Sequence, residues 1–404
     1  MTKLQIKLII SVEVGILIRR SCLARILKKE NYMKITKIGD TKTVMSNPQS
    51  VHNYFGWPTV ARLQNGKIAV AASGNRLSHV CPFGKAVISY SEDEGESYTF
   101  PAPVIDTVLD DRDGGIATFG EKGVIVTSFN NTAAFQRSVL DMRECIPDEK
   151  LNAYAGAYID SIDPEEEKRV LGATFKISHD CGVTFGKLNK SPITSPHGPC
   201  ELSDGTLLWV GTIFESKEGG KNENNIKAYS INTSNGEMKY VGEIENININ
   251  GIVPLSCEPY AVQLPDGKII AHIRVQSGHN NEEYGCFTIY QSESTDFGKS
   301  WTKPVQILSD FGGAPSHLAL TSGGAVICTY GFRAHAPYGV KAAISYDGGK
   351  SWDKDHYIYE NHVGYDLGYP STVELSDGSF LTVFYAVTEK GGPATILQQK
   401  WKIE

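Results

Sequence analysis

Residues 345–352 read SYDGGKSW, a short polar segment that ends in an aromatic residue. The same pattern, Ser-x-Asp-x-Gly-x-Ser/Thr-aromatic, occurs at 91–98, 178–185 and 294–301, and residues 230–238 hold a degenerate version. In each copy the Asp side chain can accept N–H bonds from its own turn, and Gly supplies a positive φ. Four copies of one turn predict a fold built from copies of one β-rich module.

A second motif, Leu-x-Asp/Asn-Gly between apolar segments, also repeats along the chain. It occurs at 63–66, 202–205, 264–267 and 375–378, with looser versions at 121–123 and 321–323. Asn-Gly and Asp-Gly are the strongest short-range hairpin signals, because both central residues of the favoured turn need positive φ. The six turn glycines are about 55 to 82 residues apart, which leaves room for a four-stranded sheet at each repeat.

We therefore predict an all-β fold, a six-bladed β-propeller of four-stranded antiparallel blades. The blades are expected at about 53–100, 113–186, 195–243, 255–302, 313–353 and 366–398. A strand near 34–45 is expected to pair with the last blade, which removes exposed sheet edges. The charged insert at 148–169 is expected to form a surface loop with one short helix.

The first 32 residues stand apart from the repeats. An apolar run at 8–18 is interrupted by Glu13 and followed by Arg19 and Arg20. It is shorter than a membrane span, which needs about 20 apolar residues, and it has no small-residue cleavage site typical of a secretory signal. We interpret 1–32 as an extension outside the fold, 33–404 as one propeller domain, and the protein as cytoplasmic.

Composition narrows the classes of partner. The net charge of −7 gives no support for binding nucleic acid or an anionic membrane through bulk charge. The eight cysteines form no CxxC pair or Cys/His spacing typical of zinc, and the sequence has no glycine motif for nucleotide phosphates. We expect no cofactor and no metal. A glycan or small acidic sugar fits, because a local arginine cluster can oppose the overall charge.

The four Ser-x-Asp-x-Gly-x-Ser/Thr-aromatic segments resemble the Asp boxes, or BNR repeats, of the sialidase (neuraminidase) superfamily, and the resemblance extends from about residue 45 to the C-terminus. The box is structural in that family and lies away from the ligand. The resemblance implies a substrate with a carboxylate on its anomeric carbon, attacked by a tyrosine whose proton passes to a glutamate. It also implies three arginines that bind the carboxylate and an aspartate acid/base.

Four residues of the last three blades match this set. Tyr369, in the segment GYPS at the start of the last blade, resembles the nucleophile, and Glu258 resembles its proton acceptor. Arg274 follows Glu258 across one hairpin and resembles a clamp arginine, so the two are expected to share one rim. Arg333 resembles the remaining clamp arginine. The planar guanidinium suits this task because it meets a carboxylate with two parallel bonds.

The first two blades depart from the family's pattern. Gly56 stands where the family has its first clamp arginine, while Arg76 resembles the arginine that reaches the substituents of the sugar ring. The acid/base aspartate ahead of the first box is missing. His79, whose pKa suits proton transfer, and Asp113 are alternative replacements for it, and Arg112 is a candidate replacement for the missing clamp.

His197, at the entry to the third blade, is a further candidate for the pocket lining. The leading interpretation is an exo-acting retaining glycosidase of the sialidase type, which releases a terminal sialic acid or a related acidic sugar. One alternative is a carbohydrate-binding propeller without turnover, favoured by the missing arginine and aspartate. Another is a polysaccharide lyase, in which His79 or His197 with a tyrosine abstracts a proton next to a carboxylate.

Overall fold

The protein is described by a computed structural model that covers residues 34–142, 146–213, 226–276, 287–308, 313–364 and 366–404. Residues 37–402 form one compact unit. Within it, six small antiparallel sheets follow one another as blades, which confirms the predicted six-bladed all-β propeller. The extension expected at 1–32 lies outside the described residues.

The strands alternate with short turns in every blade. The described chain starts with β1 (Ile35–Met45), and blade 1 then contains β2 (Tyr54–Arg62), β3 (Ile68–Arg76), β4 (Lys85–Ser91) and β5 (Ala102–Ile105). Blade 2 contains β6 (Arg112–Phe119), β7 (Gly123–Phe129), β8 (Ala173–Ser178) and β9 (Asn189–Ser191). Blade 3 contains β10 (Ile193–Thr194), β11 (Cys200–Glu201), β12 (Leu207–Ile213), β13 (Ile226–Ile231) and β14 (Met238–Ile244).

The second half of the propeller repeats this order. Blade 4 contains β15 (Leu255–Gln263), β16 (Ile269–Gln276), β17 (Phe287–Ser294) and β18 (Val305–Gln306). Blade 5 contains β19 (Gly313–Leu320), β20 (Val326–Phe332), β21 (Gly339–Ser345) and β22 (Asp353–Tyr359). Blade 6 contains β23 (Gly368–Glu374), β24 (Phe380–Ala386) and β25 (Thr395–Ile403), and β1 pairs with β25 as its fourth strand.

Blade 3 departs from the four-stranded pattern. Its first strand is split into β10 and β11, which pair with opposite ends of β12. The residues between them, 195–199, read SPHGP. The two prolines have no N–H group for a strand ladder, so the pairing is interrupted there.

Apolar side chains of neighbouring blades hold the propeller together. Between blades 1 and 6, Phe55 and Val60 pack in one cluster with Leu381 and Val383. Similar clusters join blades 1 and 2, 2 and 3, 3 and 4, and 4 and 5. Full burial of a side chain such as Leu381 contributes about 1.5–3 kcal/mol, so these contacts between neighbouring blades stabilise the propeller.

The Asp boxes have one common geometry. In the box of blade 4, the Gly298 N–H donates to Ser294 Oγ at 2.9 Å, and Asp296 accepts from the backbone N–H and the hydroxyl of Ser300 at 2.9 and 2.5 Å. The boxes of blades 1, 2 and 5 repeat these contacts. In the degenerate segment of blade 3, Asn232 closes the turn through its backbone carbonyl, which accepts from Gly236 at 2.8 Å.

The box carboxylates predict a loss of stability in acid. Hydrogen bonds from Thr184 and Ser300 lower the pKa values of Asp180 and Asp296 to about 2 each. A carboxylate with a lowered folded-state pKa stabilises the fold above its unfolded value of about 3.9, and this contribution is lost as the pH falls through the folded value. We expect the free energy of unfolding in urea to fall between about pH 4 and pH 2.

The matched variant for this prediction is Asp296→Asn, which removes the titrating carboxylate from one Asp box. Its stability should depend less on pH than that of the wild type over the same range. An unchanged pH dependence in the variant would contradict the assignment.

The insert in blade 2 contains more helix than expected. In the described residues between β7 and β8 there are three helices, α1 (Ala133–Asp141), α2 (Glu149–Asp160) and α3 (Pro164–Val170). Asp148 and Asp163 cap α2 and α3 by accepting N–H bonds, and the proline at the first position of α3 favours a helix start. The interpretation of 148–169 as a surface loop with one short helix was therefore wrong.

Candidate active site

The two faces of the propeller differ in the kind of residue they carry. The first and second strands of each blade are antiparallel, so the start of the first strand and the end of the second lie at one face. Glu258, Tyr369 and Asp113 lie near the starts of first strands, and Arg274 lies near the end of a second strand. The Asp boxes follow third strands and therefore lie at the opposite face.

A bulge of one kind marks the first strand in four blades. Trp57, Asp113, Glu258 and Tyr369 have φ values of 53°, 53°, 50° and 47°, and each lies where the pairing register with the next strand shifts. An extra residue at a bulge changes the direction in which a side chain points. The left-handed conformation costs on the order of 1 kcal/mol or more for a non-glycine residue, and such costs concentrate at functional sites.

Tyr369, Glu258 and Arg274 form one hydrogen-bonded cluster. The Tyr369 hydroxyl donates to Glu258 Oε1 at 2.8 Å, and Arg274 Nη1 donates to Glu258 Oε2 at 2.6 Å and to the Tyr369 oxygen at 3.2 Å. Burial raises the pKa of Tyr369 well above its ordinary value, and the negative Glu258 adds to the effect. Tyr369 therefore stays protonated unless Glu258 accepts its proton.

Arg333 lies beside this cluster. Its Nη2 donates to the Leu367 carbonyl, and its guanidinium carbon lies 5.8 Å from the centre of the Tyr369 ring. Its Nε atom is buried without a hydrogen-bond partner within the described part of the chain. A Cβ on Gly368 would lie 3.3 Å from Arg333 Nη2, so glycine permits this close approach.

Phe287 lies against both arginines. Its ring centre is 4.9 Å from the guanidinium carbon of Arg274 and 5.8 Å from that of Arg333. A guanidinium within about 6 Å of an aromatic face is attracted to the ring. Sequence reasoning missed Phe287, because it lies at the start of a third strand and belongs to no motif.

Asp113 and Arg112 bring charge to the same site from blade 2. Burial raises the pKa of Asp113 to about 7, although Arg112 and Arg274 oppose this effect and Glu258 adds to it. The Arg112 guanidinium lies 4.3 Å from the centre of the Trp57 ring. Arg112 thus joins Arg274 and Arg333 as a third guanidinium group beside the carboxyl groups of Asp113 and Glu258, and it also donates to Asp110 Oδ2 at 3.4 Å.

Arg76 lies deeper and is fully engaged within the protein. It donates to Asp110 Oδ1 at 2.5 Å and Oδ2 at 2.9 Å, and both side chains have 0% exposure. Its remaining bonds go to Ser73 Oγ and to the carbonyls of Ser78 and His79. Since these bonds occupy its N–H groups, Arg76 lies next to the site and supports the segment that carries His79.

His79 lies beside Trp57, with 5.0 Å between the ring centres. Its Nδ1 atom contacts Asp366 Oδ1 at 3.1 Å and the Tyr54 hydroxyl at 3.0 Å. Asp366 also accepts from the hydroxyls of Tyr54 and Tyr385, at 2.9 Å each. Sequence reasoning missed Asp366, which lies in the loop just before the GYPS segment.

His197 lies in the interior, apart from these groups. Its Nδ1 contacts the Thr59 hydroxyl at 3.0 Å, and its ring meets those of Tyr260 and His317 at 5.7 and 5.2 Å. Thr59 and Tyr260 each lie two residues further along their strands than Trp57 and Glu258, so this layer is separate from the cluster around Tyr369. Burial lowers the pKa of His197 to about 3, which makes it neutral at ordinary pH.

Within the ranges that the structure describes, no group of three or more His, Cys, Asp and Glu residues is arranged to hold a metal ion. The same ranges contain no helix with the length and apolar character of a membrane span.

Known proteins resemble this chain in sequence pattern and in fold. The family model for the BNR repeat-like domain matches residues 165–382. Among solved structures, a protein of unknown function from Dyadobacter fermentans has a TM-score of 0.70 at 17% identity, covering 92% of this chain and 99% of that one. The comparison with curated proteins gives no match.

Two enzymes have a similar fold at low identity. The intramolecular trans-sialidase of Ruminococcus gnavus has a TM-score of 0.59 at 14% identity, covering 90% of this chain and 96% of that one. The α-L-arabinofuranosidase of Fusarium graminearum has a TM-score of 0.58 at 13% identity, covering 90% and 98%. At this identity the likeness establishes the fold alone.

Proposed function

Since this chain belongs to the family of BNR repeat-like proteins, we propose that it is an exo-acting retaining glycosidase that releases a terminal sialic acid or a related acidic sugar. The main support is one contact, the 2.8 Å hydrogen bond from the Tyr369 hydroxyl to Glu258, made beside two guanidinium groups. The trans-sialidase of similar fold was solved in complex with oseltamivir carboxylate.

Arg274 and Arg333 bind the substrate carboxylate in this proposal, and Arg112 supplies the third positive charge. A carboxylate nucleophile would be repelled by a substrate carboxylate on the reacting carbon. The tyrosine hydroxyl avoids this repulsion because it is neutral until it reacts. Glu258 is already hydrogen-bonded to that hydroxyl, so the proton transfer needs no rearrangement.

The reaction proceeds in two steps. The Tyr369 oxygen attacks the anomeric carbon, its proton passes to Glu258, and the bond to the leaving oxygen breaks as that oxygen takes a proton from a general acid. Water then attacks the same carbon, gives its proton to the conjugate base, and displaces Tyr369, which recovers its proton from Glu258. Two inversions give net retention of configuration.

The proposal is tested with 4-methylumbelliferyl glycosides of N-acetylneuraminic acid, 3-deoxy-manno-octulosonic acid, glucuronic acid and galacturonic acid, with the glucoside and galactoside as neutral controls. We expect turnover of at least one acidic glycoside, a much slower reaction with the neutral ones, and a first product of retained configuration by proton NMR. An inverted first product, or no turnover of any acidic member, would overturn the proposal.

Two further measurements separate the alternatives. A binding propeller without turnover would give calorimetric affinity for an acidic sugar that is unchanged in Glu258→Gln. A lyase would produce the ultraviolet absorbance of an unsaturated uronate from a galacturonate or glucuronate polymer, with no consumption of water.

A further inference from the structure

A second set of linked side chains lies next to the Tyr369 cluster. His79, Tyr54 and Tyr385 all contact the carboxylate of Asp366, at 2.9 to 3.1 Å. Burial raises the pKa of Asp366, but the hydrogen bonds from His79, Tyr54 and Tyr385 outweigh this, and the pKa is lowered well below its usual range. Asp366 is therefore a charged acceptor at every ordinary pH.

The charge on Asp366 fixes the tautomer of His79. An ionised carboxylate only accepts hydrogen bonds, so the His79 nitrogen that faces it, Nδ1, must carry a proton. The other nitrogen, Nε2, then carries the lone pair of the neutral ring. The His79 side chain is 44% exposed, so Nε2 can reach a bound molecule.

His79 and Asp113, the two candidates for proton transfer, differ in how far their side chains are exposed. Asp113 is only 7% exposed, while the His79 side chain is 44% exposed. An exo-acting enzyme holds the terminal sugar inside and leaves the rest of the glycan outside. The oxygen of the leaving group would then lie on the solvent side of the terminal sugar, which favours the more exposed His79 over the buried Asp113 as the group that protonates it.

We propose that His79 is the catalytic residue that exchanges a proton with the leaving group and with water, and that Asp366 is the residue that positions it. The inference rests on the proposed glycosidase function. In the first step the His79 imidazolium gives its Nε2 proton to the leaving oxygen. In the second step the neutral Nε2 removes a proton from the attacking water and the imidazolium is restored.

The surroundings of His79 set the direction of its pH dependence. Burial lowers its pKa, the guanidinium groups of Arg112 on β6 and Arg76 on β3 lower it further, and Asp366 opposes them. Tyr54 on β2 contacts it without charge. The imidazolium required in the first step is lost as the pH rises through this lowered pKa, so cleavage of poor leaving groups should decline at a pH below the ordinary histidine value of about 6.5.

Leaving-group chemistry tests the role of His79. We expect His79→Ala to lower kcat/KM, which reports the first step alone, by about 10²–10⁴-fold for the methyl glycoside of the sugar turned over in the panel. The loss in kcat/KM should be much smaller for the 4-nitrophenyl glycoside, whose leaving group needs no proton. Equal losses in kcat/KM on both glycosides would overturn the role of His79 as the acid of the first step.

In the pH–rate profile for cleavage of the methyl glycoside, Asp366→Asn should move the alkaline limb to lower pH by about one unit. Asp366→Glu should restore part of this shift. The matched control is Asp353→Asn on β22, which removes a carboxylate 3.1 Å from His356. Asp353→Asn should leave the alkaline limb of the pH–rate profile unchanged. An unshifted limb in Asp366→Asn would overturn the positioning role.

A measurement without substrate keeps this inference separate from the proposed function. NMR of the full-length protein labelled with ¹⁵N-histidine, with His79→Gln to assign the signal, should give the Nδ1–H tautomer for His79 and a changed signal in Asp366→Asn. An Nε2–H tautomer, or no change in the variant, would overturn the pairing even if the panel is turned over. If only the panel fails, the glycosidase proposal fails and the pairing stands.

Discussion

Tyr369→Phe should lower turnover of the acidic glycoside by on the order of 10³–10⁶-fold, since removal of a nucleophile leaves only binding and charge stabilisation. The change deletes one oxygen atom from a buried ring, and the ring contacts with Trp57 and Tyr385 are expected to remain. Substrate affinity should therefore change much less than turnover. Steady-state kinetics and calorimetry with the same glycoside measure the two effects separately.

The matched control is Tyr90→Phe. The Tyr90 hydroxyl donates to the Gly182 carbonyl between blades 1 and 2, near the Asp-box face, so its loss should leave turnover within about twofold of the wild type. If Tyr369→Phe retained more than about a tenth of the wild-type turnover, the nucleophile would have to be another group, and the interpretation of the Tyr369–Glu258 contact would be wrong.

Asp110→Asn should destabilise the protein by about 3–5 kcal/mol, because it leaves a buried guanidinium without its counter-charge. Asp110 and Arg76 both have 0% exposure, and Asp110 also accepts from Arg112 at 3.4 Å and from Gln136 at 3.3 Å. The remaining amide can offer only one oxygen to these donors. Urea unfolding followed by fluorescence gives the change in the free energy of unfolding.

The double variant Arg76→Met/Asp110→Leu is the control for this effect. Replacing a buried ion pair by apolar residues of similar size is often neutral, so the double variant should be more stable than Asp110→Asn alone. A loss of less than about 1 kcal/mol in Asp110→Asn would mean that water or another group compensates Arg76.

Local repeats in the sequence were sufficient to predict the fold. Each Asp box and each Asp-Gly hairpin is determined by residues within about eight positions, as in the bonds from Gly298 and Ser300 to their own turn. The helical insert was underestimated because two helix starts within 148–169, capped by Asp148 and Asp163, were interpreted as loop residues, and Thr132 starts α1 before that range. The split first strand of blade 3 also followed from local residues, the two prolines around His197, but was not anticipated.

The sequence alone predicted only part of the candidate site. Tyr369, Glu258, Arg274 and Arg333 came from a family resemblance, and the structure brings their side chains together. The partners on the other blades are long-range: Asp366 lies 287 positions from His79 along the chain. No local pattern connects such residues.

One local signal could have located more of the site. A proline follows each of three bulge residues, Trp57, Glu258 and Tyr369, and a glycine follows Asp113. Such a residue pair at the start of an apolar strand is typical of a bulge or an interrupted ladder. Trp57 was passed over because its neighbour Gly56 was compared with the family's arginine.

The closure of blade 6 by β1 has a consequence for how the protein is made. Tyr54 and His79 leave the ribosome early, while Asp366, Tyr369 and Tyr385 follow near the end of synthesis. The last sheet is complete only when β25 is available to accept β1. A nascent chain therefore lacks Asp366 and Tyr369 until the last blade is made, and a proteolytic cut that releases β1 or β25 would disrupt the same sheet that carries Tyr369.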